Sequence, residues 1–138
     1  MGLILDTSVF IAEERGRFDM AGFLQQFPTE QPAIAAITAS ELLHGVARAD
    51  DAARRQRRSN YVEQIFSRIL IVPFDLAQAR VHAEIWADLS RRGLMVGPHD
   101  MQIAATAHVL GWPVATLNFT EFQRVAQLKI VDARPFGH

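Results

Sequence analysis

The chain has no cysteine. Disulfides, thiolate metal ligands and thiol nucleophiles are therefore excluded, and the composition suits a reducing, cytoplasmic setting. Lysine is nearly missing too: Lys129 is the only one, and the other basic side chains are arginines, the better ligands for phosphate. No apolar run approaches the ~20 residues that span a bilayer, and the N-terminus lacks the basic-then-apolar pattern of a secretory signal. The net charge of −1 gives no general basic footprint for nucleic acid, so any polyanion must be gripped locally. No aromatic-interleaved platform for stacking bases is visible. Repeats, low-complexity tracts and linkers are also absent.

What is present is the mix of an ordinary globular protein, 49% hydrophobic and 21% charged over 138 residues, enough for one domain spanning residues 1–138 with a real core. Strand-like and helix-like apolar periods alternate. Strands are expected at residues 2–5, 33–37, 69–74, 114–117 and 129–131. Helices are expected at 8–14, 19–27, from Thr38, from Asp50–Asp51, from Leu76, from Pro98 and from Thr120. For the helix after Leu76, the residues Leu76, Ala79, Ala83, Trp86 and Leu89 mark the expected buried face. This alternation predicts a three-layer α/β domain with a central parallel sheet flanked by helices.

Four short stretches place an acid or amide just beyond an apolar run: Leu5-Asp6-Thr7-Ser8, Ile37-Thr38-Ala39-Ser40-Glu41, Pro98-His99-Asp100 and Thr116-Leu117-Asn118. Each has a local alternative. Asp6 suits a helix N-cap, and Glu41 the returning half of a capping box with Thr38. Asp100 suits a first helical turn, and Asn118 a turn after a strand. None of these jobs explains why all four fall at the carboxyl edge of one sheet, where open α/β sheets bind their ligands. Three carboxylates gathered there form a hard-oxygen site for Mg2+ or Mn2+, and neither cysteine nor paired histidine offers zinc a place. Hydrolysis of phosphodiesters by metal-activated water is the leading use of such a site.

The same stretches carry a resemblance. Leu5-Asp6-Thr7-Ser8, Ile37 to Leu42 with Gly45-Val46, Asp100 with Ile103-Ala104-Ala105-Thr106-Ala107, and Ala115 to Asn118 with Glu121-Phe122 follow in order. In this the sequence resembles the PIN-domain ribonucleases, and within them the VapC/FitB-like toxins of prokaryotic type II toxin–antitoxin pairs. The resemblance implies a homodimer, magnesium or manganese in the site, an RNA substrate and a small cognate antitoxin that blocks the active site. It implies Asp6, Glu41 and Asp100 as metal-site acids. Asn118 stands where the family often has aspartate, with Glu121 one turn beyond as a possible substitute. Thr7, Ser8 and Thr116 are then the hydroxyls that orient carboxylates and water.

Substrate grip is harder to read. Arg48, Arg91 and Arg92 are the leading phosphate ligands, with Arg15 and Arg17 further rim candidates. The run Arg54-Arg55-Gln56-Arg57-Arg58 is either a solvated helix face or a grip for RNA or an acidic partner. A metal-independent ribonuclease would draw on His44, His82, His99 or His108. Of these, His44 shares a helix face with Glu41, and His99 is expected to be a loop or first-turn residue with no catalytic role. Apolar crowding at Phe18, Met20, Phe23, Leu24 and Phe27, and at Tyr61, Ile65 and Phe66, fits either a thick core or a partner surface. Two further readings stay open: a DNA-directed nuclease with the same metal site, and a non-catalytic α/β module binding nucleic acid or protein.

Overall fold

A parallel sheet whose first strand ends up in the middle sets the position of every acid named above. The computed structural model describes residues 1–138. Its strands are β1 (Gly2–Leu5), β2 (Gln31–Ala35), β3 (Leu70–Val72), β4 (Val114–Thr116) and β5 (Ile130–Asp132). Its helices are α1 (Thr7–Glu14), α2 (Met20–Leu24), α3 (Ala36–Ala47), α4 (Ala52–Arg68), α5 (Leu76–Arg91), α6 (Pro98–Leu110) and α7 (Phe119–Phe122). The order across the sheet is β3-β2-β1-β4-β5, with every neighbouring pair parallel. The chain leaves β1 toward one side for β2 and β3 and returns on the other for β4 and β5. Beside β1 the strand order therefore reverses, the switch point at which such sheets open a crevice.

The three layers follow from alternation along buried strands. Ile4, Ala33, Ala35 and Val114 face one way, onto Ile85 and Leu89 of α5 and Ile103, Ala104 and Ala107 of α6. Leu3, Leu5, Ile34 and Ala115 face the other way, onto Val9, Phe10, Leu42, Val62 and Ile65 of α1, α3 and α4. At the amino end of β1 only glycine fits, because a Cβ at Gly2 would run into the Trp112 ring. Gly111, at φ 67°, supplies the left-handed residue that ends α6 and turns the chain toward β4.

Several local expectations are corrected. The second strand is Gln31–Ala35, and α3 begins at Ala36 rather than Thr38. Ala35 is then the N-cap, and no capping box forms between Thr38 and Glu41. The second helix is only Met20–Leu24, started by Asp19, whose side chain accepts from the Gly22 amide at 3.0 Å. On α5 the buried face is Gln78, Ile85 and Leu89, while Leu76 and Trp86 are 64% and 58% exposed. The cause is a capping box in which Gln78 Oε1 accepts from the Asp75 amide at 3.1 Å, so a polar residue is satisfied locally and can sit inside. Phe18, Phe23, Phe27 and Phe136 form an aromatic cluster, so the crowding near α2 is core rather than partner surface.

Candidate active site

Asp6 leaves β1 at the N-cap of α1, yet its side chain caps nothing. Its Oδ2 instead accepts two hydroxyls, from Ser8 at 2.7 Å and from Thr116 at 2.8 Å. Neither hydroxyl uses Oδ1. The pairing of β1 with β4 makes this possible, because Leu5 lies opposite Ala115 and the Asp6 amide bonds the Ala115 carbonyl at 2.9 Å. Both hydroxyls are themselves pinned: Thr116 Oγ1 accepts from the Asn118 amide at 2.8 Å and Ser8 Oγ from the Leu117 amide at 3.2 Å. Burial pushes the Asp6 carboxyl pKa up, the two hydroxyl donors pull it back, and the Glu41 charge adds to the rise.

Glu41 reaches the same edge from α3. Its Oε1 lies 2.7 Å from Thr7 Oγ1, and the Thr7 and Thr38 hydroxyls are 3.0 Å apart. A hydroxyl carries one proton. Thr7 gives its proton to the carboxylate, so buried Thr38 donates to Thr7. The bond that a capping box would have taken from Glu41 is thus made across to α1. Its other oxygen, Oε2, is 3.2 Å from His99 Nδ1. His99 therefore lies beside the cluster, in the first turn of α6 as expected, while His44 stands exposed and pairs with none of the acids. Nothing local in the sequence signals this; only the meeting of α3 with α6 does.

Asp100 enters from the first turn of α6. Its pKa is pushed up to about 8, by burial first, then by the Asp6 charge, a hydrogen bond and charge from Glu121, and the Glu41 charge. Glu121, in the first turn of α7, also accepts the Gly97 amide at 2.7 Å and so ties α7 to the start of α6. Asn118 is exposed; its amide is used by Thr116, and its side chain bonds none of the acids.

Asp6, Glu41 and Glu121 thus all act on Asp100, Glu41 also acts on Asp6, and no arginine or lysine pairs with any of the four. As the side chains stand, no three of them converge closely enough to share an ion. The chemistry of the donor set nevertheless fits a hard divalent cation: clustered carboxyl oxygens, half-buried and mutually repelling, with only a proton to relieve them. Asp6 and Asp100 would hold it, with Glu41 beside them.

A cleft leads away from Thr7 and Glu41 between α1, α3 and α4, floored by Phe10 and Leu42 and edged by Arg48 and Arg58. Arg48 is exposed and forms no ion pair, while Arg58 is engaged with Glu14 at 3.3 Å and the Gly45 carbonyl at 2.9 Å. Arg54 pairs with Asp50 and Asp51, and Arg55 with the Ala49 carbonyl. Arg91 and Arg92 both turn to Asp88, at 3.8 and 2.6 Å. Arg92 also holds the Arg124 carbonyl at 2.7 Å, which gives it a structural job.

Comparison with known proteins gives the family and the fold. The PIN-domain family profile matches residues 3–128. The chain is 35% identical over 131 residues to Ribonuclease VapC of Rickettsia bellii, covering 95% of this chain and 96% of that protein. It is 36% identical over 105 residues to the tRNA(fMet)-specific endonuclease VapC of Salmonella typhimurium, covering 75% and 76% of the two. The crystal structure of DNA-bound VapBC from Salmonella typhimurium superposes with a TM-score of 0.83 at 28% identity, covering 96% of this chain and 98% of that one.

Proposed function

Since the chain belongs to the PIN-domain family, within its VapC ribonucleases, we propose that it is the toxin of a type II toxin–antitoxin pair and a Mg2+- or Mn2+-dependent endoribonuclease. The observation that carries this is the approach of Asp6, Glu41 and Asp100 to one edge of the sheet from β1, α3 and α6, near enough for their charges to act on the Asp100 carboxyl though not, as the side chains stand, to share an ion. A divalent cation there supplies charge neutralisation on the phosphoryl oxygens and acidifies a water. Asp6, steadied by Ser8 and Thr116, and Asp100, in the first turn of α6, would hold the cation. Glu41, presented by Thr7, orients the attacking water and takes its proton. As the water oxygen bonds to phosphorus the P–O3′ bond breaks, and the 3′ oxygen takes up a proton from solvent, so the ends are 5′-phosphate and 3′-hydroxyl. Asn118, exposed at the mouth, and Arg48, unpaired beside the cleft, contact the substrate backbone.

Incubation with a tRNA and with DNA of the same sequence tests this directly. Cleavage of RNA with Mn2+, lost with EDTA and in Asp6→Asn, is expected. Cleavage of DNA alone would assign the metal site to a different substrate. Absence of cleavage together with absence of saturable Mn2+ binding would leave the non-catalytic module. The tRNA is the first choice because the Salmonella relative is named for one.

Two partners complete the reading. The cognate antitoxin is supported by the solved relatives, which are VapBC complexes. A second copy of the chain is supported by an apolar face at the edge strand β3. There Leu70, Ile71, Leu76 and Trp86 are exposed, and His82 packs edge-on between Phe74 and Trp86 at 5.9 Å from each. Trp86→Glu is expected to sediment at the monomer mass of 15.4 kDa where the unmodified protein sediments at twice that. Identical sedimentation of the two would remove this face from the interface.

A further inference from the structure

A second cleft leaves the acids on the β4 side. It has a volume of about 470 Å3 and is lined by the segment from Leu117 to Glu121 together with Arg124 and Arg134. That space is in the range that takes a small organic ligand. Glu121 also acts on the Asp100 carboxyl, so the cleft begins where the acid cluster ends.

The two arginines are held in different ways. Arg124 is exposed, and no carboxylate lies within ion-pair reach of it. Its Nη1 donates to the Met95 carbonyl at 2.8 Å, and its own carbonyl accepts from Arg92 Nη2 at 2.7 Å. The side chain is thus fixed while its charge stays uncompensated. Arg134 is the reverse. Asp132 takes its Nε at 2.9 Å and its Nη2 at 2.7 Å, so the charge is answered and the guanidinium plane is locked. The guanidinium carbon stands 5.3 Å from the centre of the Phe119 ring, and 56% of the side chain is still exposed. One is a free cation; the other is a flat plate backed by an aromatic ring.

An anion answers the first and a planar π-system the second, and a nucleotide carries both. An acidic peptide would satisfy Arg124 and leave the plate unused. We propose that this cleft is a subsite for one nucleotide of single-stranded RNA flanking the scissile phosphate, with its phosphate on Arg124 and its base stacked on Arg134. This role rests on the ribonuclease reading above and names residues that grip that substrate. Stacking of this kind tolerates any base, so the subsite adds affinity without dictating sequence.

Steady-state cleavage of the tRNA at several salt concentrations tests it, because the two grips respond to salt differently. Arg124→Gln is expected to raise KM about tenfold with kcat unchanged. It should also flatten the log–log salt dependence of kcat/KM by about 0.7, the share of one single-strand phosphate. Arg124→Lys keeps the charge and should keep the slope. Arg134→Ala is expected to raise KM about fivefold with no change in slope, since Asp132 already answers its charge. Arg134→Lys, charged but not flat, should be as weak as alanine. Unchanged KM in both Arg124→Gln and Arg134→Ala overturns the proposal and leaves the cleft to a protein partner. A loss of kcat at constant KM makes Arg124 a brace for Met95 and overturns its phosphate contact. A wild-type KM in Arg134→Lys overturns the stacking. Mn2+ affinity should be the same in all four variants, and a weakened Mn2+ site would trace the effect to the acids instead. Should the unmodified protein cleave no RNA, the ribonuclease reading fails and the subsite with it. Cleavage that ignores both arginines sinks the subsite alone.

Discussion

Asp100→Asn is expected to lower RNA cleavage about 1000-fold and, in the cation-free protein, to raise stability at alkaline pH. The first effect follows from the proposed role of Asp100 as a cation ligand, since such a cation would contribute several kcal/mol of transition-state stabilisation. The second follows from the company Asp100 keeps. Its carboxyl lies among Asp6, Glu121 and Glu41, and its pKa is raised from 3.8 to about 8. An acid raised in this way binds its proton more tightly folded than unfolded, so stability falls as pH rises between those two values. Below the lower value the group is neutral in both states and contributes nothing; above the higher one the whole penalty applies. Water screens a half-buried carboxyl, which limits the penalty to about 1–2 kcal/mol. Melting curves without metal at pH 4 and pH 9 should therefore show Asp100→Asn close to the unmodified protein at pH 4 and roughly 3–8 °C above it at pH 9. Mn2+ should then raise the melting temperature of the unmodified protein and leave the variant unmoved. A variant less stable than the unmodified protein at both pH 4 and pH 9 would make Asp100 a structural residue.

Thr116→Val carries the next largest effect. Thr116 is fully buried, gives its hydroxyl proton to Asp6 at 2.8 Å and accepts the Asn118 amide at 2.8 Å. Valine fills the same volume and does neither. Asp6 loses one of its two hydroxyl donors, and the Asn118 N–H loses its acceptor where the chain turns into α7. Leaving such groups unpaired costs about 1–3 kcal/mol, and a disturbed ligand costs about 10- to 100-fold in cleavage. Thr116→Ser keeps the oxygen and should retain most of both. Chemical denaturation and RNA cleavage by the pair separate the hydroxyl from the methyl group. Full activity in Thr116→Val would show that Asp6 is oriented by Ser8 alone.

The contrast between Asp6 and Asp100 marks what the sequence could disclose. Asp6 and Glu41 were legible because each follows a strand, and parallel strands deliver such positions to one edge; Asp100 follows no strand and arrives in the first turn of α6, directly after α5 and its loop. Thr116 and Ser8 were legible as neighbours of those runs. The capping box at Thr38 and Glu41 was locally sound and did not form, because Thr7 arrives from α1 and takes the carboxylate that the box required. That competition is tertiary and leaves no local trace. The face of α5 was misread for the opposite reason: Leu76 and Trp86 dominate any apolar periodicity, yet Gln78, satisfied by Asp75, takes the inner position. The leftover apolar surface is what suggests a second subunit. The arginine run at 54–58 reads as surface for a plain cause, since Arg54, Arg55 and Arg58 are committed to neighbouring acids and carbonyls.

The hydroxyl bond from Thr116 to Asp6 joins positions 110 residues apart, and the strand that carries Asp6 is the first made and the central one. During synthesis β1 waits for β4 before its second edge is covered, a delay built into any sheet whose pairings are so distant along the chain. A ribosome that stops before Val114 releases a polypeptide holding all three principal acids without the strand that aligns the first of them. Such a truncated product should be inert toward RNA, so on the proposed function activity would appear only once β4 has been made.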